Sequence, residues 1–263
     1  MTFYTICMTF IIYSFFGWCA EVIFSAADRG KFTNRGFLTG PVCPIYGFGM
    51  VALKLLLTVM KENIFLLFFG SVLIAAILEL AAGFLMKMIF RQKWWDYSKE
   101  PFNLGGYICL KFSLLWGIGG SAVILGVDPV VQGVVEKLQG GLTVVIMVII
   151  LLVFAFDLFI TVQQVLKFNK RVDELEDKYD NVKRIADKLG GRNADGEAFG
   201  AEREMLENKY RRKATDFAKL CRNTAFKYKR IISAFPSMTS GRCANAIERL
   251  KAAVVKLDEE TKE

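Results

Sequence analysis

Residues 142–165 read LTVVIMVIILLVFAFDLFITVQQV. Twenty-four residues carry a single charge, Asp157. A helix rises about 1.5 Å per residue, so roughly 20 apolar residues cover the ~30 Å hydrocarbon layer of a bilayer. This stretch is long and apolar enough to cross, and it sets the fold class: an all-α polytopic membrane protein. The seam that follows has a different period. Val165, Phe168, Val172, Leu175, Tyr179, Val182, Ala186 and Leu189 alternate spacings of three and four, which predicts a helix with a coiled-coil face running straight on from the span.

The chain has 263 residues, is 54% hydrophobic and carries a net charge of +8, with mean hydropathy +0.36. Residues 166–263 hold 23 Lys and Arg against 17 Asp and Glu, so about six of the eight net positive charges lie in this tail. The seam predicts tail helices over about 166–189, 200–235 and 240–258. Gly190-Gly191-Arg192-Asn193-Ala194-Asp195-Gly196 breaks the first from the second, and Pro236 stops the second. The first helix either folds back on the second as a hairpin or pairs with a second copy of the chain. Arg211–Lys213 and Lys227, Lys229 and Arg230 form basic runs that either face solvent or touch anionic lipid. Interleaved acids argue against nucleic acid as a partner.

Upstream, hydropathy predicts four more spans, over about 3–24, 44–60, 64–90 and 104–127. The first lacks a basic leader and a small-residue cleavage site, so it reads as a retained span rather than a signal peptide. Arg29, Lys31 and Arg35 make the first loop basic, and Lys87, Arg91, Lys93 and Lys99 do the same for the third. The second and fourth loops offer only Lys61 and Lys137. This alternation predicts an outside N-terminus and a cytoplasmic tail in a cell membrane, with five crossings between them. The lipid bilayer is the first expected partner.

Ionisable groups inside a membrane are costly and default to functional candidates. Glu21, Glu79, Lys111 and Asp157 fall at similar depth in four different spans, on the cytoplasmic side. Lys54 sits nearer the outer face, where snorkelling is expected. Lys111 is expected to pair with Glu79 or Asp157 as ion-pair glue between helices. Three acids against one base also fit a hydrated cavity facing the cytoplasm, and the two readings are compatible.

Two inner loops flank that depth. Residues 34–49 read NRGFLTGPVCPIYGFG, and glycine and proline deny its middle a regular helix. Such backbone survives at membrane depth only when buried in protein or lining water. Residues 94–107 read WWDYSKEPFNLGGY. Tandem tryptophan suits an interfacial belt, while Asp96 and Asn103 exceed what anchoring requires. Asp96 is expected to pair with Arg35. Asn34, Arg35, Tyr46, Trp95, Asp96 and Asn103 therefore join Glu21, Glu79, Lys111 and Asp157 as candidate ligand-binding residues.

The sequence contains no histidine, and its six cysteines form no C-x-x-C pair. This removes the usual zinc sites and any histidine-based dyad, so no metal, cofactor or catalytic residue is expected.

These loops also carry a resemblance. Asn34-Arg35-Gly36, Gly40-Pro41 and Pro44-Ile45-Tyr46-Gly47, with Trp94-Trp95-Asp96-Tyr97-Ser98, Pro101-Phe102-Asn103 and Cys109-Leu110, resemble a bacterial membrane-protein family catalogued as ABC-transporter permease, type IV (CmpB-like). Gly17 with Glu21 and Glu79 with Gly83 fit the same pattern, over roughly residues 10–120. The resemblance implies a transporter subunit. The sequence has no G-x-x-x-x-G-K-[ST] phosphate loop, so an ATPase partner would be a separate chain.

Three functions follow as expectations. The first is a permease-like protein binding a small polar or cationic solute in the inner cavity. The second is a sensing or interaction protein whose tail recruits partners. The third, an enzyme acting on lipid through paired carboxylates, has the least support. A homodimer through spans or tail suits the first two.

Overall fold

The computed structural model describes residues 1–30, 32–190 and 197–260. Lys31 and residues 191–196, which hold most of the expected glycine break, lie outside the described residues. The described chain is almost wholly helical and divides into two compact units, residues 1–163 and 164–263.

In the first unit, α1 (Phe3–Arg29) is capped by the Thr2 hydroxyl, which accepts from the Thr5 N–H, and ends at Gly30 with φ of 66°. Glycine takes that left-handed conformation without steric cost. The second helix, α2 (Pro44–Leu57), extends through a 3₁₀ turn at Thr58–Met60. The third, α3 (Ile64–Phe90), starts at Asn63, whose side-chain Oδ1 accepts from the Phe65 and Leu66 N–H groups. A short antiparallel hairpin, β1 (Asn103–Leu104) and β2 (Ile108–Cys109), precedes α4 (Leu110–Ala122). A π-helical turn at Val123–Val127 joins α4 to α5 (Asp128–Lys137). The long α6 (Gly141–Gly190) follows.

Among the described residues, four segments are long and apolar enough to cross a membrane: Phe3–Asp28, Ile64–Phe90, Leu110–Lys137 and Gly141–Leu189. The third of these, Leu110–Lys137, differs from the expected span over 104–127. Residues 103–109 form the hairpin, and the helix runs on past Asp128-Pro129. A proline ring normally clashes with the carbonyl four residues before it. Here the wider π turn precedes it and carries the chain through into α5.

Pro44–Met60 is shorter. The Cys43 N–H donates to the Ser14 carbonyl at 2.9 Å, and Gly47 packs directly against Ser14 and the Phe10 backbone. Ser14 is the middle of α1, about 22 Å from Arg29. The chain after α1 thus doubles back as irregular backbone along half of that helix, and α2 begins only there.

At the opposite end, the Tyr4 hydroxyl donates to the Leu138 carbonyl at 3.1 Å. Tyr13, Met50, Leu53, Leu57, Leu67, Ile124, Val131 and Val135 form the buried core of this half. Lys54 does not snorkel. Its ammonium lies 2.9 Å from Asp128 Oδ1, with only 6% and 3% of the two side chains exposed. The Tyr13 hydroxyl donates to the same oxygen at 3.1 Å. A lysine facing inward cannot reach the interface, and the carboxylate satisfies it locally.

The second unit contains the tail end of α6 with α7 (Glu197–Lys227), α8 (Lys229–Ala234) and α9 (Ala244–Glu260). Ring contacts between Phe168 and Tyr228 at 5.2 Å and between Tyr179 and Phe217 at 6.0 Å set α7 antiparallel to α6. Val165, Phe168, Val172 and Leu175 are fully buried within this unit. Glu176 reaches the start of α9, accepting from the Ala246 N–H at 2.7 Å and from Asn245 Nδ2 at 2.8 Å.

Removing one partner of a buried ion pair costs about 3–5 kcal/mol because the other charge is stranded, whereas replacing both with apolar groups is often neutral. Asp128→Leu alone is therefore expected to destabilise the purified protein strongly. Asp128→Leu combined with Lys54→Met should restore most of the loss in thermal unfolding. A double variant as unstable as the single one would refute this account of the pair.

Candidate functional site

Loop one has to satisfy backbone polar groups away from water. Asp157, on α6, does much of this. Its two carboxylate oxygens accept the Thr39 N–H at 3.2 Å and the Gly40 N–H at 2.8 Å, and the Thr161 hydroxyl also donates to it at 3.2 Å. Asn34 organises the other edge. Its side-chain oxygen accepts from Trp18 Nε1 at 2.9 Å and the Gly36 N–H at 3.0 Å, and its amide donates to the Thr39 carbonyl at 2.9 Å. These are the partners that non-helical backbone requires at such depth.

Glu21 faces the same loop from α1. It accepts from the Tyr46 hydroxyl at 2.7 Å and lies 3.6 Å from Arg35. Arg35 also sits over the Phe24 ring at 5.6 Å. Tyr46 packs directly against Gly17, which has no side chain to obstruct it, and meets Trp116 of α4 edge-on at 5.5 Å.

Loop three closes over α3 and α4. Trp95 Nε1 donates to the Tyr107 carbonyl at 2.9 Å. A Cβ at Gly83 would stand 2.8 Å from the Tyr107 ring and 3.1 Å from Trp95, so this position requires glycine. Asn103 accepts from the Gly106 N–H at 3.0 Å and donates to the Glu100 carbonyl at 2.8 Å. Gly105 and Gly106 make the hairpin turn with φ of 58° and 71°. Phe37 of loop one packs against Phe90 and Trp94 at 5.7 and 5.5 Å, so both loops lie at one end of the unit.

Asp96 pairs with Lys93 at 2.9 Å, not with Arg35. Burial acts to raise its carboxyl, but the Ser98 hydroxyl and Lys93 outweigh this and hold it below its usual value. Lys111 pairs with neither Glu79 nor Asp157. It is 60% exposed and lies 3.7 Å from Glu100. One turn into α4, its side chain reaches the loop acid more readily than the interior.

Glu79 is the remaining acid. It is 9% exposed, and one oxygen accepts from the Tyr97 hydroxyl at 3.1 Å. Its other oxygen, Oε2, is buried with no partner among the described residues. Tyr97 stacks on Phe112 at 4.8 Å. Burial, then the charge of Glu79, raises the Tyr97 phenol well above its ordinary value, so it is a hydrogen-bond donor at any physiological pH.

The ten candidate residues thus gather around the two loops, in two groups. Glu21, Asn34, Arg35, Tyr46 and Asp157 belong to loop one; Glu79, Trp95, Asp96, Asn103 and Lys111 belong to loop three. Sequence reading missed the roles of Tyr97, Trp18, Lys93 and the Thr39–Gly40 backbone. It also missed Asp128, which fell one residue beyond the expected end of span four.

Asp157→Ala leaves two N–H groups of loop one without an acceptor, at about 1–3 kcal/mol each when buried. Cys43, only 5% exposed beside this loop, should then become several-fold faster to label with maleimide, read by peptide mass spectrometry. Labelling at the wild-type rate would show that Asp157 does not hold the loop.

No curated protein and no solved structure matches the chain. Residues 8–162 match the model of the family described as "Putative ABC-transporter type IV". That match takes in both loops, all ten candidate residues and more than half of the chain, and the protein belongs to this transporter-type family of membrane proteins.

Proposed function

We propose that this chain is a permease-like membrane subunit that engages a small polar or cationic solute at the end carrying loops one and three, with Glu79 as the engaging group. The observation that carries this reading is Glu79 Oε2, a buried carboxylate oxygen with no partner among the described residues. A carboxylate has about four acceptor sites, and Tyr97 uses one. Glu21, Asp96, Asp128 and Asp157 each have a cation or two or more donors, so a cationic guest gains most at Glu79. Trp95 and Tyr97 supply aromatic surface nearby, which favours organic cations, while the Tyr107 ring already faces Lys87 and Lys93 at 5.8 and 5.1 Å.

In this reading the chain crosses the membrane five times, with α2 and the doubled-back loop together making one crossing. The N-terminus is outside, and the basic loops and tail face the cytoplasm of the cell. A separate ATPase chain supplies energy, and the role is transport rather than catalysis. A second reading, in which the tail recruits partners for a sensing function, draws on the tail's being a compact unit with its own buried core.

The test uses the purified full chain and a panel of choline, guanidinium and spermidine, read by thermal shift and isothermal titration. At least one cation should bind saturably. Glu79→Gln keeps the Tyr97 contact but removes the charge, and should weaken binding tenfold or more, about 1.4 kcal/mol. A cation that binds Glu79→Gln as well as wild type would sink the assignment of Glu79, and no binding across the panel would sink the cationic solute.

A further inference from the structure

The two ring contacts of the tail fix the register of α7 along α6. Phe168 meets Tyr228, and Tyr179 meets Phe217, so residues of α6 and α7 at the same level have numbers summing to 396. Phe226 is therefore level with Lys170. The apolar run of α6 ends at Val165, and Lys170 lies five residues, about 7 Å, beyond it. That is the depth of the phospholipid headgroups.

The side chains at this level suit that place. Phe226 is 74% exposed at the end of α7, where Phe217 and Cys221 are buried; Met205, far from this end of the helix, is also exposed. Lys167, Lys170 and Arg171 follow the span on α6, and Lys227 flanks Phe226; all four are exposed. A cavity of about 550 Å³ opens at Phe226, lined also by Arg222, Asn223, Lys229, Leu257 and Glu260. Arg222 is held by Glu260 at 2.8 Å and Lys229 by Asp258 at 2.6 Å. The charge available to a guest therefore comes mainly from the lysines on the membrane side.

We propose that this end of the tail is a binding site for anionic phospholipid of the adjacent leaflet, with Phe226 and Leu257 against the glycerol and upper acyl region and Lys167, Lys170 and Lys227 on the headgroup phosphate. An exposed aromatic among lysines is unfavourable in water and favourable at a negatively charged interface. Solvation explains the lysines but not Phe226, and a protein partner would have to occupy the level of the headgroups.

The test uses delipidated full-length protein in detergent, with bound lipid counted by native mass spectrometry and the unfolding midpoint followed by circular dichroism. Phosphatidylglycerol should be retained and should raise the midpoint, and phosphatidylcholine should do neither. Phe226→Ala, and separately Lys170→Ala with Lys227→Ala, should each cut retained phosphatidylglycerol at least threefold. Lys183→Ala with Arg184→Ala removes the same charge about 27 Å beyond Val165, and should leave retention unchanged. All these side chains are exposed, Lys227 lies over the Tyr228 ring at 5.8 Å, and a helical spectrum identical to wild type checks each fold. Equal retention of phosphatidylcholine overturns the site, as does equal stabilisation by glycerol phosphate, which would mean a phosphate site rather than a lipid one. Unchanged retention in both juxtamembrane variants, or equal loss in the distal control, overturns it as well.

Discussion

A backbone without helical hydrogen bonds has to find acceptors and donors wherever it runs through low-dielectric surroundings. Loop one meets that demand over half the length of α1, and much of the first unit is arranged around it. Ser14 gives its carbonyl, Asp157 gives two oxygens, and Asn34 bridges both sides of the loop. Gly17 and Gly47 then allow α2 to lie hard against α1 once the helix resumes. The short second helix is a consequence. Residues that would have formed its first turns are spent as irregular backbone, and Pro44, which needs no intrahelical N–H partner, marks where regular structure begins.

Much of this was legible in the sequence. Apolar run length found the long apolar helices α1, α3, α4 and α6, because the bilayer thickness imposes it, but not α5. The apolar run at 64–90 is one uninterrupted helix, α3 (Ile64–Phe90). Glycine and proline density marked loop one as non-helical, and the three-four seam marked the α6 face that packs in the tail. The fourth span was misread for a local reason. Asp128-Pro129 has the appearance of a stop, and a π turn that carries a helix through such a pair leaves no compositional trace.

Pairing was less legible than position. Run length places a residue along the membrane normal but does not give the rotation of its helix. Lys54 and Asp128 lie 74 residues apart, and only the fold shows that both face inward with Tyr13. Lys111 and Asp96 were likewise assigned partners at the right depth that the structure does not give them. In both cases a near neighbour in sequence, Glu100 or Lys93, is the actual partner. Short-range geometry prevailed over the long-range pairing that charge counting suggested.

The distribution of satisfied groups also bears on function. A carboxylate already held by a lysine or by several N–H groups gains little from a new cation, since binding would first have to displace what is there. By that criterion Asp157 and Asp128 belong to the architecture, and Glu21 is tied by Arg35 and Tyr46. Glu79 differs in kind. It has one donor, a second oxygen left over, and a glycine one turn away that lets two aromatic rings close over the helix. Leaving a buried polar atom without a partner is costly, and among the described acids of this unit Glu79 is the one with a buried oxygen so left.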